Sequence, residues 1–277
     1  MNTIPDHVRQ SLSEPFHLSN SQIESFKKNG FVKLKHVFNP ETIECLNITI
    51  SHEVKRLNTQ HLPLNERDTY GKAFLQIMNI WTKSEPVKEI VFSKRLAKIA
   101  TDLLGTAGVR LYHDQALYKE PGGGITPWHA DQYYWPLSND NTVTAWIPLQ
   151  ETPLEMGPLE FSAESFKLTT GRDKEISDES QQLLTDTLVR EKFEHVVQPF
   201  EIGEVSFHRG WLFHRAGANK TNEMRSVMTI IYMDSDMKLK QPENKNQMVD
   251  WETWCPGAEA GKQIDTPINP VLYLYQD

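Results

Sequence analysis

From Val109 onward the chain breaks into short segments rich in Val, Ile, Tyr, Trp and Phe, separated by turn residues. They run Val109–Tyr118, Pro127–Tyr133, Val143–Leu149, Pro158–Phe161, Val196–Pro199, Glu204–Phe207 and Ser226–Met233. β-branched and aromatic side chains suit a half-buried pleated surface, and many short strands at this spacing build an antiparallel sandwich or barrel. A charged insertion, Lys167–Glu194, interrupts the series with a helix expected near Glu179–Leu188.

Ahead of these strands the texture is helical. Ser19 or Asn20 can cap a short helix that turns Ile23 and Phe26 inward and stops at Gly30. Phe31–Leu34 reads as a short strand. Asn39-Pro40-Glu41 starts a helix, because an Asx side chain caps free N–H groups and proline fits the first turn. Ile43, Leu46, Ile50 and Val54 then recur at helical spacing to about Leu57. A further helical stretch, Pro86–Leu104, is broken near Phe92 and Ser93 and ends at Gly105. Residues 1–18 lack apolar periodicity and are expected as a flexible arm, with residues 19–277 as one domain. Within it, a helical layer over about 19–105 packs on a β core over about 106–277.

Charge narrows the partners. The 29 Lys and Arg against 37 Asp and Glu leave a net −8 with no basic run, which repels phosphate backbones and anionic lipid. Nucleic acid and membrane are therefore not expected as partners, and stretches such as Val227–Met233 fall far below the roughly 18 residues that span a bilayer. The N-terminal residues show no apolar core of a signal peptide, and two cysteines, Cys45 and Cys255, make neither a disulfide framework nor a cysteine metal site. A reducing cytoplasm is the expected compartment.

The stretch that carries chemistry is Trp128-His129-Ala130-Asp131. In a strand, residues two apart share a face, so His129 and Asp131 can aim at one metal ion. Alone this means little, since 10 His and 37 acidic residues in 277 positions supply about one such triplet by chance. A second histidine on a separate strand is required. His214 is well placed after the strand around Phe207, and His208 competes with it. Two histidines and one carboxylate leave open positions on an octahedral metal for a bidentate cosubstrate and dioxygen, whereas a closed four-ligand zinc site leaves none. Arg225 opens the next strand, and its guanidinium fork suits the far carboxylate of a dicarboxylic 2-oxo acid.

With these residues the chain resembles the phytanoyl-CoA dioxygenase family of iron(II) and 2-oxoglutarate dependent oxygenases. The resemblance rests on Thr126-Pro127-Trp128-His129-Ala130-Asp131, the Met156-Gly157-Pro158-Leu159 turn, and Gly203-Glu204-Val205-Ser206-Phe207-His208 leading to His214, Asn219 and Arg225. It extends to both ends, in Ile23–Val32 and Thr266–Tyr273. It implies a mainly β fold with flanking α-helices, namely a double-stranded β-helix of the jelly-roll, cupin-like kind with an N-terminal helical layer. It also implies iron(II) on His129, Asp131 and His214, with 2-oxoglutarate and O2 consumed, succinate and CO2 released, and an aliphatic C–H of a small molecule hydroxylated. By position Thr144 assists Arg225 with the cosubstrate, and Tyr118 and Trp146 line the same pocket.

Where relatives often carry Pro-Gly-Ser-His after the Gly-Pro-Leu turn, this chain has Ser162-Ala163-Glu164-Ser165-Phe166, which alters that pocket edge. Related halogenases replace the metal carboxylate with a small residue, so Asp131 favours hydroxylation. Tyr133, Tyr134 and Trp135 either shape the substrate pocket or pack the barrel mouth, and aromatic faces of this kind also hold cationic groups. Two other readings stand beside the oxygenase: a non-catalytic jelly-roll binding or sensing protein, and a cupin-like metal isomerase. The substrate and the oligomeric state are not legible in these residues.

Overall fold

The computed structural model describes residues 3–275. The helical layer begins with α1 (Asp6–Ser13), which was expected to be part of a loose arm. Ile4, Val8 and Leu12 are buried in the main core, and the Ser93 hydroxyl donates to the Leu12 carbonyl at 2.8 Å. One short amphipathic stripe is too little to stand out in sequence, and tertiary packing holds it. Helix α2 (Asn20–Asn29) carries a capping box in which Ser19 and Gln22 satisfy each other's backbone N–H groups, and it ends on Gly30 at φ +83°. A Cβ at Gly30 would press on Phe166 and Leu212. After β1 (Phe31–Leu34), α3 (Pro40–Leu57) starts where Asn39 accepts from the Thr42 N–H at 2.8 Å. Its Ile43, Leu46, Ile50 and Val54 stripe is buried.

Next come α4 (Thr69–Ala73), β2 (Leu75–Met78), α5 (Glu85–Val91) and α6 (Lys94–Leu104). The break between the last two is at Ser93, whose hydroxyl caps α6. The β core follows in the order β3 (Gly108–Lys119), β4 (Thr126–His129), β5 (Thr142–Pro148) and β6 (Leu159–Ser162). Helix α7 (Asp178–Arg190) lies in the charged insertion. The chain then runs through β7 (His195–Val197), β8 (Val205–Arg209), β9 (His214–Ala216), β10 (Arg225–Asp234), α8 (Lys245–Trp254) and β11 (Val271–Leu274).

Two antiparallel sheets result. The larger has the order β1-β8-β5-β10-β3-β11 with β2 also on β3, and the smaller β4-β9-β6-β7. From β3 to β10 the chain crosses from one sheet to the other at every step but β6 to β7, as in the jelly roll that the sequence implies. The helical layer packs on the larger sheet, where α3 and α6 meet Val143, Ala145, Phe207, Met228 and Ile230 in one core. With that face occupied, period-2 alternation sends the odd positions of β10, the odd positions of β3 from His113 onward and the even positions of β5 towards the space between the sheets. No helix among the described residues is long and apolar enough to cross a membrane.

Candidate metal centre

The metal motif does not lie on one strand. β4 ends at His129, and Asp131 opens a three-residue-per-turn helical segment through Tyr134, so the expected strand Pro127–Tyr133 is cut short. Asp131 still reaches the same point, because β4 pairs with β9 and brings His129 opposite His214. Asp131 Oδ1 is 3.5 Å from His129 Nε2 and 3.6 Å from His214 Nε2, and one donor atom of each residue lies within 4.8 Å of the others.

Backbone carbonyls set the tautomers. His129 Nδ1 is 2.8 Å from the Pro127 carbonyl, and His214 Nδ1 is 3.0 Å from the Leu212 carbonyl. A carbonyl can only accept, so each Nδ1 carries the proton and each Nε2 presents a lone pair. Burial, helped by His129, holds His214 well below the usual imidazole range and so neutral. Burial opposes ionisation of Asp131, but His214, His129 and His208 outweigh it and keep the carboxyl well below its usual value. Two neutral imidazoles and one carboxylate are a donor set that fits a divalent metal ion.

Neighbouring strands hold this centre. Ser165, in the segment that departs from the family phrase, accepts the Phe213 N–H at 3.0 Å just ahead of His214. Thr144 Oγ1 donates to Asp131 Oδ2 at 3.1 Å. The resemblance assigns Thr144 to the cosubstrate; its side chain lines the same cavity as Arg225, and its hydroxyl is on the Asp131 carboxylate. His208 Nε2 stands 3.5 Å from the same Oδ2, and its ring lies 4.4 Å from that of His214. Neither ring nitrogen of His208 has a hydrogen-bond partner among the described residues.

Arg225 is buried at the start of β10 and donates to the Gly157 carbonyl. Its Nε has no hydrogen-bond partner among the described residues, and Trp146 lies under the guanidinium at 5.6 Å. Burial lowers its pKa to about 9. Opposite it on β3 is Lys119, whose ammonium is surrounded by the carbonyls of Gly124 and Gly217 and which burial, then Arg225, pushes down to about 6. A buried guanidinium with no ion pair among the described residues, beside a lysine that burial leaves largely neutral on backbone carbonyls, makes this end of the sandwich receptive to an anion.

Arg225, Trp146, Thr144 and the three donor residues all line one cavity of about 380 Å³, as do Tyr134 and Trp135. Two expected pocket residues do not. Tyr118 has even parity on β3 and faces the helical layer, where its hydroxyl meets Ser51 at 2.8 Å. Tyr133 turns to α8, where its carbonyl accepts from Gln247 and its hydroxyl from Asn246. Sequence reasoning missed His113, Gln115, Asp250 and Trp254, which also line the cavity. Strand parity identifies His113 and Gln115 once His113–Leu117 is read as one face. Nothing in the local sequence of α8 places Asp250 beside them.

A jelly roll that gathers two histidines and a carboxylate inside its open end has the architecture of mononuclear non-haem oxygenases. The chain belongs to the phytanoyl-CoA dioxygenase (PhyH) family, whose model matches residues 26–227. A "probable alpha-ketoglutarate-dependent hypophosphite dioxygenase" of Stutzerimonas stutzeri is 21% identical over 78% of this chain and 78% of its own length. A "phytanoyl-CoA dioxygenase domain-containing protein 1 homolog" of Caenorhabditis briggsae is 23% identical over 76% of this chain and 89% of its own. Among solved structures, the non-heme alpha ketoglutarate dependent carbocyclase SnoK from nogalamycin biosynthesis superposes with a TM-score of 0.75 at 21% identity, covering 94% of this chain and 99% of that one. EctD from S. alaskensis, solved with 2-oxoglutarate and 5-hydroxyectoine, gives 0.68 at 18%, covering 92% and 89%. The likeness to these structures bears out the fold, a double-stranded β-helix under a helical layer.

Proposed function

We propose that this protein is an iron(II) and 2-oxoglutarate dependent dioxygenase that hydroxylates an aliphatic C–H of a small molecule. The observation that carries the reading is one cavity with a neutral-histidine, carboxylate donor set in its wall and, at its end, a buried arginine that has no acidic partner among the described residues. His129, Asp131 and His214 hold the metal, their Nε2 atoms and Oδ1 converging from two strands and a turn. Thr144 keeps Asp131 in that orientation. Arg225 and the indole of Trp146 fix the distal carboxylate of 2-oxoglutarate. When bound, the metal, 2-oxoglutarate and dioxygen supply the oxidation, with release of succinate and CO2. The side chains are left to orient the cosubstrate, keep bulk water out and present the target carbon.

Several relatives carry out other outcomes by name, a carbocyclase and an epimerase among them. Asp131 supports hydroxylation over halogenation, since its carboxylate occupies the position a halide needs. The free, buried Cys45 and Cys255 suit the reducing cytoplasm we assign to the protein.

Anaerobic titration of the metal-free protein with iron(II) and 2-oxoglutarate tests the site. A weak visible charge-transfer band is expected, lost in His129→Ala and in His214→Ala. Absence of the band in folded, metal-loaded protein would favour the binding-protein or isomerase reading. Candidate substrates are then screened by succinate release and by incorporation of labelled oxygen into product. Succinate without labelled product would refute hydroxylation.

A further inference from the structure

The cavity continues past the metal centre to a group of residues that neither the metal nor the cosubstrate uses. Along the β3–β10 ladder, Arg225 pairs with Lys119 and Ile231 with His113. Those backbone levels are six residues apart, and the Arg225 guanidinium reaches back from its own to lie over Trp146, which pairs with Thr229. Thr144 of β5 also pairs with Ile231, so the metal carboxylate and His113 sit at one level on either side of β10. The ladder shifts register between Ile231 and Tyr232, leaving Tyr112 unpaired. A bulge of this kind re-aims a side chain, and here the Tyr112 hydroxyl donates to Asp250 Oδ2 of α8 at 3.0 Å.

Asp250 thereby enters the cavity wall between Trp254 and Tyr112. Trp254 lies tilted against His113 at 5.2 Å, and Trp135 meets Tyr112 edge-on at 5.4 Å. Apart from Asp131 and the histidines, the charged residues among the described cavity lining are Arg215, Arg225 and Asp250. Arg215 is paired with Glu160 at 2.8 Å, and Arg225 is at the cosubstrate end. The substrate side therefore has one carboxylate and no cation to balance it. Burial raises Asp250 to about 7, against hydrogen bonds from Tyr112 and Trp254 that favour the ionised form. His113 is 4% exposed, burial lowers it to about 4 so that it is neutral, and its Nδ1 has no partner among the described residues.

We infer that Asp250, with the aromatic faces of Trp254, Trp135 and Tyr134 around it, recognises a cationic amine, so that the substrate is a small molecule carrying a protonated or quaternary nitrogen. A cation satisfies the carboxylate and gains from the indole faces, while an anion meets Asp250 with repulsion and finds no free guanidinium or ammonium. This separates the protein from relatives named for hypophosphite or phytanoyl-CoA. The inference takes the cavity to be the substrate site of the proposed oxygenase, but its test needs no turnover.

Binding of cyclohexylmethylamine, cyclohexylmethanol and cyclohexanecarboxylate to the full-length protein is compared by calorimetry, with zinc(II) and 2-oxoglutarate occupying the metal end. The amine is expected to bind about tenfold or more tightly than the alcohol, and the carboxylate more weakly than either. Asp250→Asn should abolish that order and Asp250→Glu restore it. A carboxylate that binds as tightly as the amine overturns the inference in the wild type alone, whether or not the variants fold. So does an Asp250→Asn protein that keeps the preference. If the amine preference holds but no charge-transfer band forms with iron, the oxygenase reading fails and the recognition of a cation survives.

Discussion

Two residues of the site, Arg225 and Thr144, differ in what they touch, and so in what their loss should change. Among the described residues Arg225 donates to the Gly157 carbonyl, lies over the Trp146 face and keeps an unpartnered Nε, so it is open to an incoming carboxylate. Arg225→Ala should raise the 2-oxoglutarate requirement about 10- to 100-fold, the loss of charge-assisted hydrogen bonds, with little change in iron affinity. An unchanged requirement removes Arg225 from the cosubstrate site. Thr144 should behave in the opposite way. Its hydroxyl is on Asp131, and groups that orient a metal ligand are commonly worth 10- to 100-fold in metal affinity. Thr144→Val is therefore expected to weaken iron(II) binding by about tenfold and to leave the 2-oxoglutarate requirement near its wild-type value once the metal is saturating. The reverse split would return Thr144 to the role its position in the family implies. Residue type and spacing let the sequence nominate His129, Asp131, His214 and Arg225, which the fold brings to one cavity, because the proposed chemistry needs those side chains. The partner of a hydroxyl within 3 Å is not legible in this way, since it depends on which rotamer the packed cavity allows.

At the level of elements, the turn before β6 governs the arginine. Gly157 sits at φ +70°, and a Cβ there would come within 2.3 Å of the Gly217 carbonyl, while its own carbonyl receives Arg225. Gly157→Ala should therefore destabilise the protein by more than about 1 kcal/mol and also raise the 2-oxoglutarate requirement, although residue 157 does not face the metal. A loss of stability with an unaltered requirement would show that the turn holds the fold without setting Arg225. Elements with strong local signals are where the sequence puts them: α2 between Ser19 and Gly30, α3 from its Asn39-Pro40 cap, and α6 stopping at Gly105 at φ +68°. Those signals are local hydrogen bonds and backbone geometry, so a few residues suffice to read them. β2, β9 and β11 are only three or four residues long and exist through their partners, which no local pattern records. Helix α1 is hidden for the same reason. Tyr118 misled by parity alone, one residue from the cavity face.

Over the whole molecule, a buried carboxylate joins the helical layer to the large sheet. Asp114 is fully buried on β3, and its side chain accepts from the backbone N–H groups of Ile80 at 3.1 Å and Trp81 at 3.4 Å, in the turn that leads from β2 into α5. Burial raises its pKa from 3.8 to about 7, against those hydrogen bonds. A carboxyl whose folded pKa lies above its unfolded one favours the fold most when both states are protonated. Its contribution is complete below about pH 4 and falls away as the pH rises through about 7, because the unfolded chain releases the proton first. Other groups titrate over the same range, so the useful quantity is the difference between the wild type and Asp114→Asn. The variant loses stability overall by weakening the tie to Ile80 and Trp81, but it has no proton to release. Between about pH 5 and pH 8 the urea midpoint of the wild type should fall relative to that of the variant. Parallel profiles would mean that Asp114 ionises in the fold as it does in the unfolded chain, with the backbone N–H groups of Ile80 and Trp81 fully offsetting its burial. The helical layer would then be joined to the sheet by a charged contact, and its stability would not depend on that proton.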